Sequence, residues 1–344
     1  MNCRSSAFYS LYKTGFLRAL TNRASGGVRY CILAYHGISR KPLSLFTSAP
    51  LFESHLRFFA RWGVVTSMDE IAGYLRGERV LEGPNLRFVL TFDDGYANVV
   101  QNAAPLLRKH RQRGIVYLNP GLIEKTTIPW YFEITGTERP ARENRRSLAE
   151  AGFGDYKVSG QAEGDAWPMR LIDDIIAKVP PEGFEPWWKE TSARFNPPTG
   201  EISVEGGIAT WEQLGTAGDV LNFGSHTYSH CILGLCRDEK YMRDQVVRSK
   251  AAIEVRLGVK CPHFAYPRGR ETDYNGRTQQ VLAAAGHETA VTTQSGLVAA
   301  GVNCWKIPRF CIGETPVYEL AARISGVMGQ WDGNVSKLRG LIRR

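Results

Sequence analysis

The chain has 344 residues, of which 43% are hydrophobic and 22% charged, and its formal net charge is +9. These values are typical of a soluble globular protein with one large domain or two ordinary ones. The sequence contains no run of about 18 uncharged apolar residues, which excludes a transmembrane helix.

Both ends of the chain combine basic and apolar residues. Residues 1–25 form an amphipathic segment in which Lys13 and Arg18 interrupt the apolar run, and the segment lacks the cleavage site of a secretory signal. Seven scattered cysteines without a CxxC pair agree with a reducing compartment, so we expect a cytoplasmic protein. The basic tail at 326–344 either lies along an anionic membrane surface or is a solvated end.

Between these ends, short apolar runs alternate with amphipathic helical patterns. The predicted strands cover 30–38, 63–67, 87–92, 115–119, 220–226, 263–269, 289–293 and 306–312. The predicted helices cover 51–63, 68–78, 98–114, 210–218, 239–258, 278–287 and 316–328. Repeated strand–helix units predict parallel strands with right-handed crossovers, and therefore a closed or nearly closed α/β barrel.

The alternation breaks between residues 121 and 210. This stretch contains prolines, charged clusters and four of the eight tryptophans, and Trp211 stands just beyond its edge. It is too long for a loop and too aromatic for disorder, so we predict a structured, tryptophan-rich insertion. The barrel domain is then expected to cover residues 26–325, with the insertion at about 121–210.

Two adjacent carboxylates end one of the predicted strands. Asp93 and Asp94 follow an apolar run in "LTFDDGY" (90–96), and such neighbours repel each other unless something binds at least one of them. A lone pair of this kind is common as a helix cap or turn. Ligands in α/β barrels sit at the carboxyl ends of the strands, so this pair lies where a site is expected.

Two histidines follow another predicted strand, in "FGSHTYSH" (223–230). If "HTYSH" forms a helical turn, His226 and His230 project from one face, close enough to share a metal ion. Two neutral imidazoles and one carboxylate form a three-ligand catalytic site for zinc or a neighbouring first-row metal. Asp94 is the candidate carboxylate, and binding a cation there relieves the repulsion with Asp93.

These motifs resemble those of the NodB-homology polysaccharide deacetylases, carbohydrate esterase family 4. The resemblance rests on "LTFDDGY", "FGSHTYSH" and "FAYPRGR" (264–270), with support from "ILAYHGI" (32–38) and "KIPRFCI" (306–312). It covers about 30–119 and 211–312. It implies a distorted (β/α)7-type barrel that hydrolyses N-acetyl groups of amino sugars, in a polysaccharide or in its lipid- or nucleotide-linked precursor.

By motif position, the resemblance makes Asp93 the general base. It makes Asp94, His226 and His230 the ligands of one divalent metal ion, with Zn²⁺ expected and Co²⁺ or Ni²⁺ as alternatives. The backbone N–H of Arg268 matches the family's donor to the tetrahedral oxyanion.

Two departures from the family pattern concern the catalytic groups. Ala265 stands where many members have an arginine that orients the base, and "KIPRFCI" offers Arg309 where many members have a histidine that acts as general acid. An arginine does not donate a proton at neutral pH. His36, in "AYHG", is therefore the remaining candidate for the general acid.

The expected partner is an N-acetylated glycan or glycan precursor. The aromatic segments "IPWYFEI" (128–134) and "EPWWKE" (185–190) either stack on sugar rings or form a small core of the insertion. No nucleic-acid-binding module is recognisable, so the dispersed basic charge does not point to nucleic acid. Two other functions stay open: hydrolysis of a non-sugar C–N bond by the same fold, and glycan binding without turnover.

Overall fold

The computed structural model describes residues 3–23, 27–40, 45–78, 86–125, 129–131, 167–193 and 207–328. Its strands are β1 (Arg29–Tyr35), β2 (Gly37–Ser39), β3 (Phe46–Ser48), β4 (Val64–Val65), β5 (Leu86–Phe92), β6 (Gly114–Leu118), β7 (Leu221–Ser225), β8 (His263–Ala265), β9 (Thr289–Val291) and β10 (Phe310–Cys311). Its α-helices are α1 (Cys3–Lys13), α2 (Phe16–Arg23), α3 (Ala49–Trp62), α4 (Met68–Leu75), α5 (Ala104–Lys109), α6 (Pro120–Lys125), α7 (Trp167–Lys178), α8 (Pro181–Ser192), α9 (Trp211–Gly215), α10 (Glu239–Leu257), α11 (Gly276–Ala284) and α12 (Val317–Ile324).

A curved parallel sheet forms the centre of the molecule. Its strand order is β10–β1–β5–β6–β7–β8–β9, with β4 paired to the start of β5. The segment after β9 links the two edges, because Ile307 bridges to Val291 while Phe310 pairs with Leu33 of β1. The predicted distorted (β/α) barrel with about seven strands is confirmed.

The two faces of the sheet form separate apolar layers. Along β5, Phe88, Leu90 and Phe92 pack toward the helices, whereas Val89 packs inside the barrel. Side chains alternate along a strand, so Thr91 and the residue after the strand, Asp93, share the inner face with Val89. The inner apolar layer consists of Tyr30, Ile32, Val89, Ile115, Tyr117, Ala265, Val291 and Ile307, together with Met68, Ile71 and Val298. Polar side chains at the carboxyl ends of the strands therefore lie above a dry core.

Two predicted elements differ from the observed ones. The predicted strand 30–38 is divided, because β1 ends at Tyr35 and β2 begins at Gly37, which leaves His36 in the break. The helix predicted to end at Gly114 begins with a π-helical turn, Val99–Ala103, and ends at Lys109. Arg111 adopts a left-handed conformation with φ 52°, which stops the helix, and Gly114 is the first residue of β6.

The insertion lies between two neighbouring strands. Strands β6 and β7 pair from Gly114–Leu221 to Leu118–Ser225, although residues 119–220 separate them in the chain. Helices α6 to α9 lie in this connection. The remainder of the insertion lies outside the described residues, so its bounds and those of the two terminal segments stay predictions.

The N-terminal helices pack against the barrel. Phe8 and Leu17 are buried, and Tyr12 stacks on Trp62 of α3 with ring centroids 6.3 Å apart. No helix among the described residues is both long enough and apolar enough to span a membrane. The tail at 326–344 is described only as far as residue 328. The cytoplasmic location and the contact with an anionic membrane surface stay predictions.

Candidate metal centre and active site

The turn after β5 separates the two aspartates. The Asp93 N–H donates to the Tyr35 carbonyl at 2.9 Å and so extends the pairing of β1 with β5. Asp94 and Gly95 then both adopt left-handed conformations, with φ 72° and 79°. This conformation is unfavourable for a residue with a side chain, and such residues concentrate at functional sites. The turn therefore gives the two carboxylates different surroundings.

The histidine segment after β7 is a tight turn. Residues 226–230 are not helical, so the predicted helical turn is wrong. Thr227 and His230 have φ values of 64° and 59°, and Thr227 Oγ1 accepts a hydrogen bond from the Cys231 N–H at 2.8 Å. The Asn119 side-chain amide donates to the carbonyls of His226 and Thr227. These bonds replace helical ones and still bring the two imidazole ring centroids to 5.0 Å.

Asp94, His226 and His230 converge on one point. Asp94 Oδ1 lies 3.5 Å from His226 Nε2 and 3.6 Å from His230 Nε2. Ligands of a tetrahedral zinc ion with bonds of about 2.0–2.1 Å are about 3.4 Å apart. Asp94 Oδ1 is also buried and accepts no hydrogen bond from a described residue. A buried carboxylate oxygen that faces two imidazole nitrogens and lacks a donor fits a divalent cation.

Both imidazoles are prepared to act as ligands. His226 Nδ1 lies 2.7 Å from the Ala265 carbonyl and donates a hydrogen bond to it, which leaves Nε2 as the ring nitrogen that faces Asp94. Burial lowers the pKa of His230 to about 4, although the nearby Asp94 carboxylate opposes this shift. His230 is therefore neutral at neutral pH, as metal binding requires.

Asp93 is held by an arginine that the sequence analysis did not assign to it. Arg309 is fully buried and binds the carboxylate through two hydrogen bonds, from Nη1 to Oδ1 and from Nη2 to Oδ2, each 2.8 Å long. Its Nη1 also donates to Thr91 Oγ1 at 3.0 Å, and its Nε donates to the Thr292 carbonyl at 2.9 Å. The expectation that the orienting arginine is missing is thus wrong. The guanidinium comes from the segment that closes the barrel instead of from the position of Ala265.

The same pairing sets the protonation state of Asp93. Burial by itself raises the pKa of this carboxyl, but the Arg309 guanidinium outweighs it, with smaller contributions from His226 and His36. The resulting pKa is about 2, so Asp93 is ionised at neutral pH.

His36 and Arg268 follow two different strands of the sheet, β1 and β8. His36 is half-buried, and its charge acts on both Asp93 and His230. Arg268 has a left-handed φ of 60°, and its guanidinium forms an ion pair with Asp173 of α7 at 3.3 Å. None of the described residues accepts a hydrogen bond from the Arg268 N–H. This N–H is therefore available for a ligand.

Two tyrosines belong to the centre and were missed as site residues. Tyr96 and Tyr131 are buried and interact with the Asp94 carboxylate, and burial followed by this negative charge holds the pKa of both hydroxyls far above neutral pH. The Tyr131 ring lies 4.6 Å from the His230 ring, centroid to centroid. The sequence signal was the aromatic segment at 128–134, which brings Tyr131 to the metal ligands.

Comparison with known proteins identifies the fold. Residues 190–290 match a protein-family model described as polysaccharide deacetylase. Among curated proteins, none matches this sequence. The matched range includes both candidate metal-binding histidines and the Arg268 turn, and the aspartate pair lies outside it.

Several solved structures share the architecture. The Streptococcus pyogenes deacetylase PplD, in complex with acetate, matches with a TM-score of 0.57 at 18% identity, over 87% of this chain and 99% of PplD. IcaB from Ammonifex degensii matches with a TM-score of 0.57 at 19% identity, over 87% of this chain and 98% of IcaB. A de-N-acetylase from Aggregatibacter actinomycetemcomitans matches with a TM-score of 0.55 at 16% identity, over 86% of this chain and 99% of that protein. The resemblance to the deacetylase family is confirmed, and the individual residue roles stay predictions.

The geometry predicts that replacing Asp94 by alanine weakens zinc binding more than about a hundredfold, since the change removes the one anionic ligand. Calorimetric titration of the purified protein with Zn²⁺ in the presence of a competing chelator measures this directly. His110→Ala is the control, because His110 pairs with Glu53 at 3.1 Å, away from the centre. Equal zinc affinity in Asp94→Ala and the unaltered protein would contradict the assignment.

Proposed function

We propose that this chain, which has the polysaccharide deacetylase fold and matches that family's model over residues 190–290, is a metal-dependent N-deacetylase. Its substrate is an N-acetylated amino sugar, in a polysaccharide or in a lipid- or nucleotide-linked precursor. The observation that carries the proposal is the pairing of a buried Asp–His–His group with an adjacent, ionised aspartate.

The two aspartates have different roles. Asp94, His226 and His230 would hold a divalent cation, which polarises an acetyl carbonyl and lowers the pKa of a water molecule toward about 7. Asp94 is committed to this ligand set. Asp93 is then the carboxylate left to accept the proton of the attacking water.

Arg309 prepares Asp93 for that task. The two parallel hydrogen bonds fix the plane of the carboxylate, and each oxygen keeps a second lone pair for the water. Because the ion pair also holds Asp93 ionised, the base is ready before substrate binds. Preorganisation of this kind removes an orientational cost from the reaction.

His36 and Arg268 complete the proposed chemistry. An amine leaves an amide readily only when it is protonated, and His36 is a proton donor at the end of β1, beside the end of β5 that carries Asp93. The Arg268 N–H is proposed to donate to the oxyanion that forms on the acetyl carbon. The ion pair of its side chain with Asp173 supports the turn that presents this N–H.

The Arg309 contact bears on the alternative of glycan binding without turnover. That alternative rested on a missing orienting arginine and a missing histidine in the last motif. The arginine is present at a different position in the chain. Hydrolysis of a non-sugar C–N bond is distinguished from the proposed activity by a panel of sugar and ureide substrates.

Replacing Asp93 by asparagine is expected to lower kcat by about 10²–10⁴-fold, because the variant keeps the size of the side chain and loses its basicity. Acetate released from chitooligosaccharides, with and without added Zn²⁺ or Co²⁺, gives the rate. Zinc affinity is expected to stay unchanged, which distinguishes loss of the base from loss of the metal. Full activity of Asp93→Asn refutes the proposed mechanism.

Replacing Arg309 by lysine is expected to lower kcat by roughly ten- to a hundredfold with little change in KM, since one ammonium group cannot reproduce the two parallel bonds. Arg87→Lys is a matched control, because Arg87 is another buried arginine, paired with Glu70 at 3.0 Å. Both variants are expected to lose stability, but only Arg309→Lys is expected to lose kcat. Equal kcat losses in the two variants would show that Arg309 has a general structural role.

Replacing His36 by glutamine is expected to slow release of acetate from an N-acetyl sugar by about 10²–10⁴-fold. Hydrolysis of an aryl acetate ester by the same variant is expected to stay near the unaltered rate, because a phenolate leaves without protonation. Asp93→Asn, by contrast, is expected to slow both reactions. If His36→Gln slows the ester as much as the amide, His36 is not the general acid.

A further inference from the structure

Five aromatic side chains of the insertion pack together next to the metal centre. The members of this aromatic cluster are Trp130, Tyr131, Phe184, Trp187 and Trp188. Trp130 lies 4.9 Å from Phe184 and 5.9 Å from Trp188 between ring centroids. Phe184 and Trp188 are stacked, with an interplanar angle of 11° at 6.3 Å, and Trp187 lies 5.6 Å from Phe184. Two rings of helix α8, Phe184 and Trp188, therefore contact Trp130, and Trp187 joins the cluster through them.

The cluster is continuous with the candidate metal site. Tyr131 packs on the ring of His230 and interacts with Asp94. The ring centroid of its chain neighbour Trp130 lies 5.8 Å from that of Tyr131 and so joins Tyr131 to the rest of the cluster. The five rings thus begin at a metal ligand and lead away from it.

Helix α8 is anchored to the loop that follows the metal-binding histidines. The Glu182 carboxylate accepts hydrogen bonds from the backbone N–H groups of Arg237 and Asp238, at 2.6 and 2.9 Å. The Tyr241 hydroxyl donates to the Pro181 carbonyl at 3.2 Å. These contacts fix the position of the cluster relative to the metal ligands.

Four side chains of the aromatic cluster are more exposed to solvent than the aromatic side chains of the barrel core. The aromatic rings that face the helices of the barrel, such as Phe88 and Phe92, are fully buried at 0% exposure. Trp130, Phe184, Trp187 and Trp188 pack against the barrel core but are only half-buried, and Tyr131 is the one buried member of the cluster. The insertion therefore leaves aromatic surface in contact with solvent beside the site.

We propose that the aromatic cluster is a binding subsite for a pyranose ring next to the sugar unit whose N-acetyl group enters the metal centre. A pyranose presents an apolar face of C–H groups, which packs on an aromatic ring, while its hydroxyls stay in water. The substrate is then an oligo- or polysaccharide chain and not a free amino sugar. This inference rests on the proposed deacetylase function and specifies its substrate.

The test compares substrates of different length. Trp130→Leu and Trp188→Leu are each expected to lower kcat/KM about tenfold for a pentamer of N-acetylglucosamine, in its β-1,4- or β-1,6-linked form. Hydrolysis of an aryl acetate ester and deacetylation of free N-acetylglucosamine are expected to stay unchanged, because neither needs the subsite. Trp62→Leu is the control, since Trp62 is half-buried in a different aromatic group with Tyr12 and Phe58.

A second measurement keeps all the tryptophans of the cluster, so that its result does not depend on how well a tryptophan variant folds. Asp93→Asn protein, which keeps the cluster, is expected to show a change in tryptophan fluorescence with either pentamer and none with free N-acetylglucosamine. Trp130→Phe and Trp188→Phe in the same background identify which ring reports the binding.

The outcomes separate the two proposals. Equal losses for pentamer and free sugar in the tryptophan variants would show that the cluster serves only packing, which overturns the subsite. A protein that hydrolyses the aryl acetate and deacetylates free sugar as well as pentamer also overturns it, and leaves the deacetylase function standing. Hydrolysis of the aryl acetate with no deacetylation of any sugar overturns the proposed function itself.

Discussion

The buried ion pair between Asp93 and Arg309 is the contact on which the proposed chemistry depends. Both side chains are removed from water, and a buried charge is tolerated only when it is paired and hydrogen-bonded. The bidentate geometry meets this condition, and two further guanidinium N–H groups donate to Thr91 Oγ1 and to the Thr292 carbonyl. The pair lies directly above the apolar layer inside the barrel, where loss of either side chain leaves the other as a buried charge without a partner. Stability and the position of the base are therefore coupled at one point.

Asp93 and Asp94 are neighbours in the chain but lie in different electrostatic surroundings. Asp93 is paired with the guanidinium of Arg309, whereas Asp94 Oδ1, beside the imidazoles, accepts no hydrogen bond from any residue that the structure describes and is the proposed metal ligand. A backbone carbonyl fixes the ring of His226 so that Nε2 faces Asp94, and burial favours the neutral form of His230. One short sequence motif thus supplies both the proposed base and a proposed ligand, because the left-handed turn at Asp94 and Gly95 separates their surroundings.

Local motifs were sufficient to predict the ligand set and the barrel, and long-range contacts explain what was missed. Asp94, His226 and His230 were identified because each stands at a strand end, where a parallel sheet brings its residues together. The conformation of 226–230 was wrong because side-chain bonds from Asn119, 107 positions away, replace helical ones. The partner of Asp93 was missed because Arg309 is 216 positions away in the chain. The only sequence signal for Arg309 was that it is a charged residue within the mostly apolar predicted strand 306–312. Tyr131 reaches the centre through an insertion whose path no periodicity reveals.

The segment that closes the barrel carries Arg309, so it also supplies the partner of Asp93. This residue lies between Ile307, which bonds to one edge of the sheet, and Phe310, which bonds to the other. During synthesis the aspartate pair and both histidines leave the ribosome well before this segment does. A nascent chain can therefore contain all three proposed metal ligands while the proposed base still lacks its counter-ion. Under the proposed mechanism, a polypeptide that ends before this segment has an unpaired Asp93, so completion of the ring of strands also completes the site.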